Sequence, residues 1–170
     1  MIKIAERHDV TPRDVIEITC AAAPNTFHVL IHHRPTTSLE AKFSLEYLLS
    51  AGLALKTINE GCFALKHVND PVMRDLVAKV RVVDSPAKRE TPGEGAVTVQ
   101  VRTPVAVYEE TVSYAPGHPK NPLSWQSLAA KYQACARHAG LSETAVASSL
   151  DTLSRSDEIG NVKELLQLFS

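Results

Sequence analysis

Four segments of the chain alternate apolar and polar residues or are rich in β-branched residues, as strands are. These predicted strands are Val15–Ala22, Lys79–Asp84, Ala96–Thr103 and Val105–Tyr114. Phe27–Ile31 is predicted as an extended continuation of the first strand. Because Pro104 has no N–H to donate to a ladder, we predict an antiparallel hairpin that turns there. The inward side chains of its second strand should be Val105, Val107 and Val112.

A period of three to four residues predicts helices in the rest of the chain. Thr37-Ser38-Leu39-Glu40 has the spacing of a capping box, so a helix should begin there and run from Leu39 to Leu55. Its apolar stripe would comprise Leu39, Phe43, Tyr47 and Ala51. Further helices are predicted over residues 1–8, Pro71–Ala78, Ser124–His138 and Ser142–Leu153, and from Ser156 onwards.

The order of these elements favours an α+β fold over a doubly wound parallel sheet, because the helices are segregated from a tight hairpin. We expect a small antiparallel sheet with helices packed on it and helices at the C-terminus. A length of 170 residues fits one domain, 1–170. Ser85–Gly95, which is rich in Pro, Gly and charge, is predicted to be a loop.

Composition excludes several classes of partner. The formal net charge is -1, which gives no basic surface for nucleic acid. No apolar run approaches the roughly 20 residues of a membrane helix, and no signal-peptide core is present, so we predict a cytoplasmic location. The three cysteines, Cys20, Cys62 and Cys135, are far apart and are interpreted as free thiols.

Candidate chemistry is sparse when the residues are taken alone. The sequence contains no Gly-rich phosphate loop, no HExxH, no GxSxG and no Cys/His cluster at zinc spacing. His32 and His33 would point to opposite faces of a strand, which does not favour a shared metal. Tyr47 has two interpretations, because a hydroxyl on an apolar helix either bonds to a core carbonyl or faces a ligand.

Two segments resemble the MmgE/PrpD family. Arg34–Tyr47, RPTTSLEAKFSLEY, looks like that family's Pro…Glu-Ala-Lys/Arg-(Phe/His)-Ser-x-x-Tyr stretch. Gly117–Trp125, GHPKNPLSW, is similar to its Gly-x-Pro-x-x-Pro-Leu-Ser segment, and Lys131-Tyr132 matches the Lys-Phe/Tyr pair of the following helix. The order of the predicted elements agrees as well, so the resemblance covers essentially the whole chain, as the family's C-terminal domain.

The resemblance implies an enzymatic context. The family includes 2-methylcitrate dehydratases, cis-aconitate decarboxylases and iminodisuccinate epimerases, which act on small di- or tricarboxylates. Their active site lies between a helical N-terminal domain and a C-terminal α+β domain, and no metal or organic cofactor is implied. Proton removal beside a carboxylate calls for a general acid/base pair and for groups that hold carboxylates.

Two residues take candidate roles from this resemblance. Tyr47 matches the Tyr that ends the family motif, and its phenol is expected to bond a substrate carboxylate or to pass a proton. Lys42 matches the basic residue of the same motif and is a candidate for substrate binding, with a structural or surface role as the alternative. The family's upstream Lys…Cys…His segment and its helical domain find no counterpart in these residues.

These departures leave two interpretations open. In the first, the chain is the C-terminal part of a lyase or isomerase that is inactive without a separate N-terminal helical domain or subunit. In the second, it is a non-catalytic domain that serves as a binding or interaction module. The broad apolar arc predicted for Leu39–Leu55 also favours a homo-oligomer.

Overall fold

The computed structural model describes residues 1–85, 96–161, 163, 166 and 167. Strands and helices are mixed, which confirms the α+β class. The chain packs as two compact units, Met1–Asn121 and Pro122–Ser170. The single domain 1–170 stays a prediction. Within the described residues, no helix is both long enough and apolar enough to span a membrane.

A four-stranded sheet forms the centre of the first unit. Its strands are β1 (Glu17–Ala22), β2 (Val80–Asp84), β3 (Val97–Arg102) and β4 (Val107–Val112), in the order β2-β1-β3-β4. The β1–β3 and β3–β4 pairs are antiparallel, whereas β1–β2 is parallel. The expected antiparallel sheet is therefore corrected to a mixed sheet. The long helical connection between β1 and β2 is what allows the parallel pair.

The predicted hairpin is confirmed, but the inward orientation predicted for Val105 and Val107 is wrong. Thr103 N–H donates to the Ala106 carbonyl at 2.9 Å, so Pro104-Val105 form the turn and Val105 is 86% exposed. Tyr108 lies opposite the buried Val101. Cross-strand partners share a face, so Tyr108 and Val112, which lies opposite Val97, are on the core side, whereas Val107 faces outward.

Helices surround the sheet in the first unit. They are α1 (Ile2–Arg7), α2 (Asn25–Val29), α3 (Ser38–Lys42), α4 (Leu45–Ala54), α5 (Leu65–Val68) and α6 (Pro71–Ala78). The extended continuation predicted over Phe27–Ile31 is wrong, because α2 occupies most of it. Asp70 caps α6 by accepting from the N–H groups of Val72 and Met73, and this helix was predicted correctly.

The long helix predicted over Leu39–Leu55 is two helices. The Thr37–Glu40 capping box is present and begins α3 as predicted. The chain then breaks at Phe43-Ser44, where the Ser44 hydroxyl accepts from Tyr47 N–H and caps α4. Since α3 and α4 are separate, the predicted apolar stripe is divided: Leu39 is 67% exposed, whereas Tyr47 is fully buried.

Two hydrophobic cores hold the first unit together. The larger packs α1, α4 and α6 on the sheet, through residues such as Ile4, Leu53 and Leu76. The smaller surrounds Tyr47 and comprises Ala41, Ala51, Phe63, Val68, Met73 and Val77. The motif tyrosine therefore lies at the centre of a core formed by α3 to α6 and the turn before α5.

The second unit is helical, as predicted. Ser124 caps α7 (Trp125–His138), and Gly140, with a φ of 87°, follows its end. Ser142 caps α8 (Glu143–Ser154). A 3-10 turn, Ser156–Glu158, stands where the last helix was predicted to begin, and several residues of that helix lie outside the described residues. Most of the predicted loop Ser85–Gly95 lies outside them as well.

Candidate active site

An open cavity of about 380 Å³ lies next to the motif segment in the first unit. Helices α5 and α6 and the loop that precedes α3 provide most of its wall. Helix α4 provides one residue. The lining residues are Arg34, Pro35, Thr36, Tyr47, Val68, Arg74, Val77 and Ala78. No acidic residue lines it, so its two guanidinium groups give it a positive charge.

One face of α6 forms a side of this cavity. Arg74, Val77 and Ala78 are three and four residues apart, which places them on the same face of the helix. Val77 is buried, whereas Arg74 reaches solvent. Arg74 Nη2 donates to Asn69 Oδ1 at 2.6 Å. Because the Asn69 amide is neutral, this bond orients the guanidinium and leaves its charge uncompensated.

The loop before α3 forms the opposite side and is held by Glu40. The Glu40 carboxylate accepts from Thr36 N–H at 2.7 Å, from the Thr36 hydroxyl at 3.1 Å and from Thr37 N–H at 3.2 Å. The Thr36 backbone bond, with the hydroxyl bond next, lowers the pKa of Glu40 below its ordinary value. The carboxylate therefore stays ionised at neutral pH and fixes the backbone that carries Arg34.

Tyr47 lies in the cavity wall, behind the surface that solvent reaches. None of its area is exposed, and its hydroxyl donates to the Cys62 carbonyl at 2.5 Å. Of the two interpretations left open for this hydroxyl, the structure has the bond to a core carbonyl. Burial, followed by the neighbouring Cys62, raises the pKa of Tyr47 to about 12. The phenol is neutral at physiological pH, so it has the protonation state of an acid or a donor, not of a base.

Lys42 lies outside the cavity wall and contacts the turn before α5. Its Nζ is 2.7 Å from Glu60 Oε2 and 5.6 Å from the centre of the Phe63 ring. The 3-10 turn Glu60–Phe63 also contains Cys62, the acceptor for Tyr47. Both predicted site residues thus hold the same turn, Lys42 from the surface and Tyr47 from inside.

A His–carboxylate pair lies beside the motif. His33 Nδ1 is 2.7 Å from Glu46 Oε1, and Glu46 is only 7% exposed. No sequence pattern predicts this pair, because His33 lies in a loop and Glu46 on α4. Neither residue lines the cavity. His32 and His33 belong to no group of three or more potential metal ligands, since none exists among the described residues.

The cysteines occupy different environments. Cys20 and Cys62 are buried and Cys135 is exposed, all as free thiols. Burial raises the pKa of the Cys20 thiol to about 11, so it stays protonated in the core. The Cys62 thiol points to the Thr57 carbonyl, 3.4 Å away. It is the Cys62 backbone, through its bond from Tyr47, that lies next to the candidate site.

Fold and site together define an α+β domain with a small, positively charged cavity beside a motif tyrosine. The model of the MmgE/PrpD C-terminal domain matches residues 1–153, so the chain belongs to the MmgE/PrpD family. The match covers all of the first unit and reaches the end of α8. A comparison with curated proteins found no match.

Sequence reasoning found part of this site. It identified Tyr47, which contacts the cavity, and Lys42, which does not. It missed Arg34 and Arg74, although Arg34 opens the motif segment itself. The two arginines are 40 residues apart in the sequence. Periodicity within one segment therefore does not predict that they line the same cavity. The available signal for Arg74 was its position on the polar side of the Asp-Pro helix, one turn after the cap.

Proposed function

We propose that this domain forms part of the active site of a cofactor-independent lyase or isomerase that acts on small di- or tricarboxylates, as 2-methylcitrate dehydratases do. The observation that carries the proposal is the cavity: it is small, lacks acidic residues, contains two arginines and contacts the motif tyrosine. Its volume lies within the range of small-molecule sites. Family membership supports the same chemistry.

Tyr47 is the proposed donor or acid of this site. Its raised pKa keeps the phenol protonated, which suits donation to a substrate carboxylate or to a leaving group. The hydrogen bond to the Cys62 carbonyl has to be exchanged for one to the substrate, which requires the cavity wall to open. Docking of the family's helical domain is the proposed cause of that opening. Lys42 is proposed to act on substrate only if its pair with Glu60 is exchanged in the same way.

The 170-residue protein is proposed to be inactive by itself, because the family's other site residues lie in its Lys…Cys…His segment and in its helical domain. The test is to supply that domain, as a separate chain or fused ahead of Met1, and to assay 2-methylcitrate, cis-aconitate and iminodisuccinate. Turnover that needs both parts and that falls by about 10²-fold or more in Tyr47→Phe supports the proposal. Turnover by the 170 residues alone, or full activity of Tyr47→Phe, contradicts it.

A non-catalytic binding module is the second candidate, and one observation favours it. Tyr47 is fully buried and satisfied by a backbone carbonyl, as a structural tyrosine is. This candidate predicts binding of a small carboxylate without turnover in any combination of domains. The assay on the assembled enzyme therefore separates the two functions.

Self-association and a cytoplasmic location complete the proposal. Several large apolar side chains in and around α2 and α3 are exposed: Val29, Ile31, Leu39 and Phe43. A second copy or the helical domain would remove this apolar area from water. Light scattering of the 170-residue protein that shows a dimer supports self-association, and a monomer at tens of micromolar contradicts it.

A further inference from the structure

We infer that Arg34 and Arg74 form a two-point clamp for carboxylates, so that the cavity selects ligands with at least two carboxylate groups. The inference rests on the proposed function for its substrate class and adds the residues that would recognise that class. Nothing in the motif comparison assigned a role to Arg34 or Arg74.

Charge pairing separates these two arginines from eight other cationic side chains among the described residues. Among the described residues, Arg7, Arg102, Arg137 and Arg155 each pair with a carboxylate, as do Lys3, Lys42, Lys56 and Lys79. Arg34 makes no hydrogen bond or ion pair to any described residue, and Arg74 bonds only to the neutral Asn69 amide. Other cations without ion pairs in this part of the chain are Arg13, Lys66, Arg81, Lys131 and Lys163, and none of them lines the cavity.

The backbone next to Arg34 and the guanidinium of Arg74 are held in place before a ligand arrives. Arg34 precedes the two residues whose N–H groups are fixed by the Glu40 carboxylate. Arg74 stands on α6, and its Nη2 bond to Asn69 at 2.6 Å limits its rotation. Orientation before binding reduces the entropy lost when a ligand is ordered. A guanidinium is also the side chain that binds a carboxylate through two parallel N–H···O bonds.

The rest of the cavity lining is largely apolar. Pro35, Val68, Val77 and Ala78 lie there, and the first three of these are buried. Carbon atoms between two carboxylates would contact this surface, while the carboxylates meet the guanidinium groups. A monocarboxylate engages one arginine only, so it should bind more weakly than citrate or succinate.

The test is calorimetric titration of the whole 170-residue protein with citrate, succinate and acetate, and with the uncharged trimethyl ester of citrate. We expect citrate and succinate to bind more tightly than acetate, and the ester not to bind. Arg34→Ala and Arg74→Ala should each weaken citrate binding about tenfold or more, since each removes a charge-assisted hydrogen bond. Arg34→Lys and Arg74→Lys should lose part of the affinity, because lysine has no planar fork.

Arg81→Ala is the matched control, since it removes an exposed arginine of β2 that does not line the cavity. Equal citrate affinity of wild type and both cavity variants would overturn the clamp. An equal loss of citrate affinity in Arg81→Ala would do the same. So would binding of the ester, or no binding of citrate at all. Sulfate that binds as tightly as citrate would overturn the carboxylate selectivity. Circular dichroism melts determine whether each variant is folded. If an alanine variant does not fold, the corresponding lysine variant tests the clamp.

The clamp and the proposed function fail in different experiments. Citrate binding that depends on both arginines, without turnover in the assembled enzyme, upholds the clamp and refutes the lyase. Turnover whose KM does not change in Arg34→Ala or Arg74→Ala upholds the lyase and refutes the clamp.

Discussion

The cavity and the turn Glu60–Phe63 lie on two sides of the same motif but differ in how their polar groups are satisfied. At the turn, the Lys42 ammonium meets Glu60 and the Tyr47 hydroxyl meets the Cys62 carbonyl. At the cavity, neither Arg34 nor Arg74 has a carboxylate partner within the described residues. The two residues that match the family motif, Lys42 and Tyr47, are therefore bonded within the protein. The groups without an internal carboxylate partner, Arg34 and Arg74, lie beside them.

This comparison divides the expected effects of substitution. Groups satisfied inside the protein should contribute to the free energy of unfolding and little to ligand binding in the 170-residue protein. Groups without an internal partner should contribute to ligand binding and little to the free energy of unfolding. Tyr47→Phe should therefore change the free energy of unfolding most, and Arg34→Ala least.

Tyr47→Phe should lower the free energy of unfolding by about 1–3 kcal/mol, because it leaves the buried Cys62 carbonyl without its donor. Urea denaturation of wild type and variant measures the difference. Tyr114→Phe is the matched control: within the described residues its hydroxyl accepts one hydrogen bond, from the exposed Lys120 Nζ at 3.2 Å, so the loss should stay within about 0.5 kcal/mol. Equal stability of Tyr47→Phe and wild type would show that the hydroxyl has no stabilising internal partner, as proposed for the cavity arginines.

Alkaline pH should act on the same group. Tyr47 has its pKa raised from an ordinary 10 to about 12. A raised folded-state pKa contributes stability below the unfolded pKa and loses it as pH rises toward the folded pKa. Stability should therefore decrease between about pH 10 and pH 12, and the decrease should be smaller in Tyr47→Phe. Parallel pH profiles of the two proteins would contradict the burial of the phenol.

Ser44→Ala should cost about 1 kcal/mol, because the hydroxyl caps α4 through Tyr47 N–H at 3.1 Å. The substitution also tests whether Ser44 causes the break between α3 and α4. Ser113→Ala changes an exposed serine outside the helices and serves as the control. A Ser44→Ala protein as stable as wild type would assign the break to packing instead of capping.

Lys42→Ala should cost between about 0 and 1 kcal/mol, since both members of the Lys42–Glu60 pair are solvent exposed. A double-mutant cycle with Glu60→Gln isolates the coupling of the pair from its other contacts. Lys66→Ala, an exposed lysine of α5, is the control. A coupling near zero would remove Lys42 from the structural account and return it to the list of ligand-binding candidates.

Arg34→Ala should change the free energy of unfolding least, within about 0.5 kcal/mol, because no described group depends on its side chain. The same denaturation experiment measures it, with Arg81→Ala as the control. A loss above about 1 kcal/mol would reveal an internal partner and would place Arg34 with the turn.

Local sequence signals predicted much of the fold. The Thr37–Glu40 box and the Asp70 cap were recognisable because their partners are three residues apart or closer. The continuity of Leu39–Leu55 was predicted wrongly, since periodicity does not reveal that Ser44 caps a new helix. Val105 and Val107 were wrongly predicted to face inward, because the inward face of β4 depends on where the turn at Thr103 closes.

The candidate site was less predictable than the fold, because its parts meet through tertiary packing. Tyr47 was found by resemblance, but its acceptor is a backbone carbonyl, and any residue type supplies one. The cavity requires α6 to pack beside the loop that carries Arg34. No pattern within a single segment reports that arrangement.

The most direct test of the central claim is thermal unfolding of the 170-residue protein with and without citrate, at matched ionic strength. A ligand that binds the folded state raises the midpoint by an amount set by its concentration and Kd. Citrate should stabilise wild type and Lys42→Ala, and should not stabilise the Arg34→Ala/Arg74→Ala double variant. Equal stabilisation of all three proteins, or stabilisation of none, would contradict the division between an internally satisfied turn and a cavity left open for carboxylates.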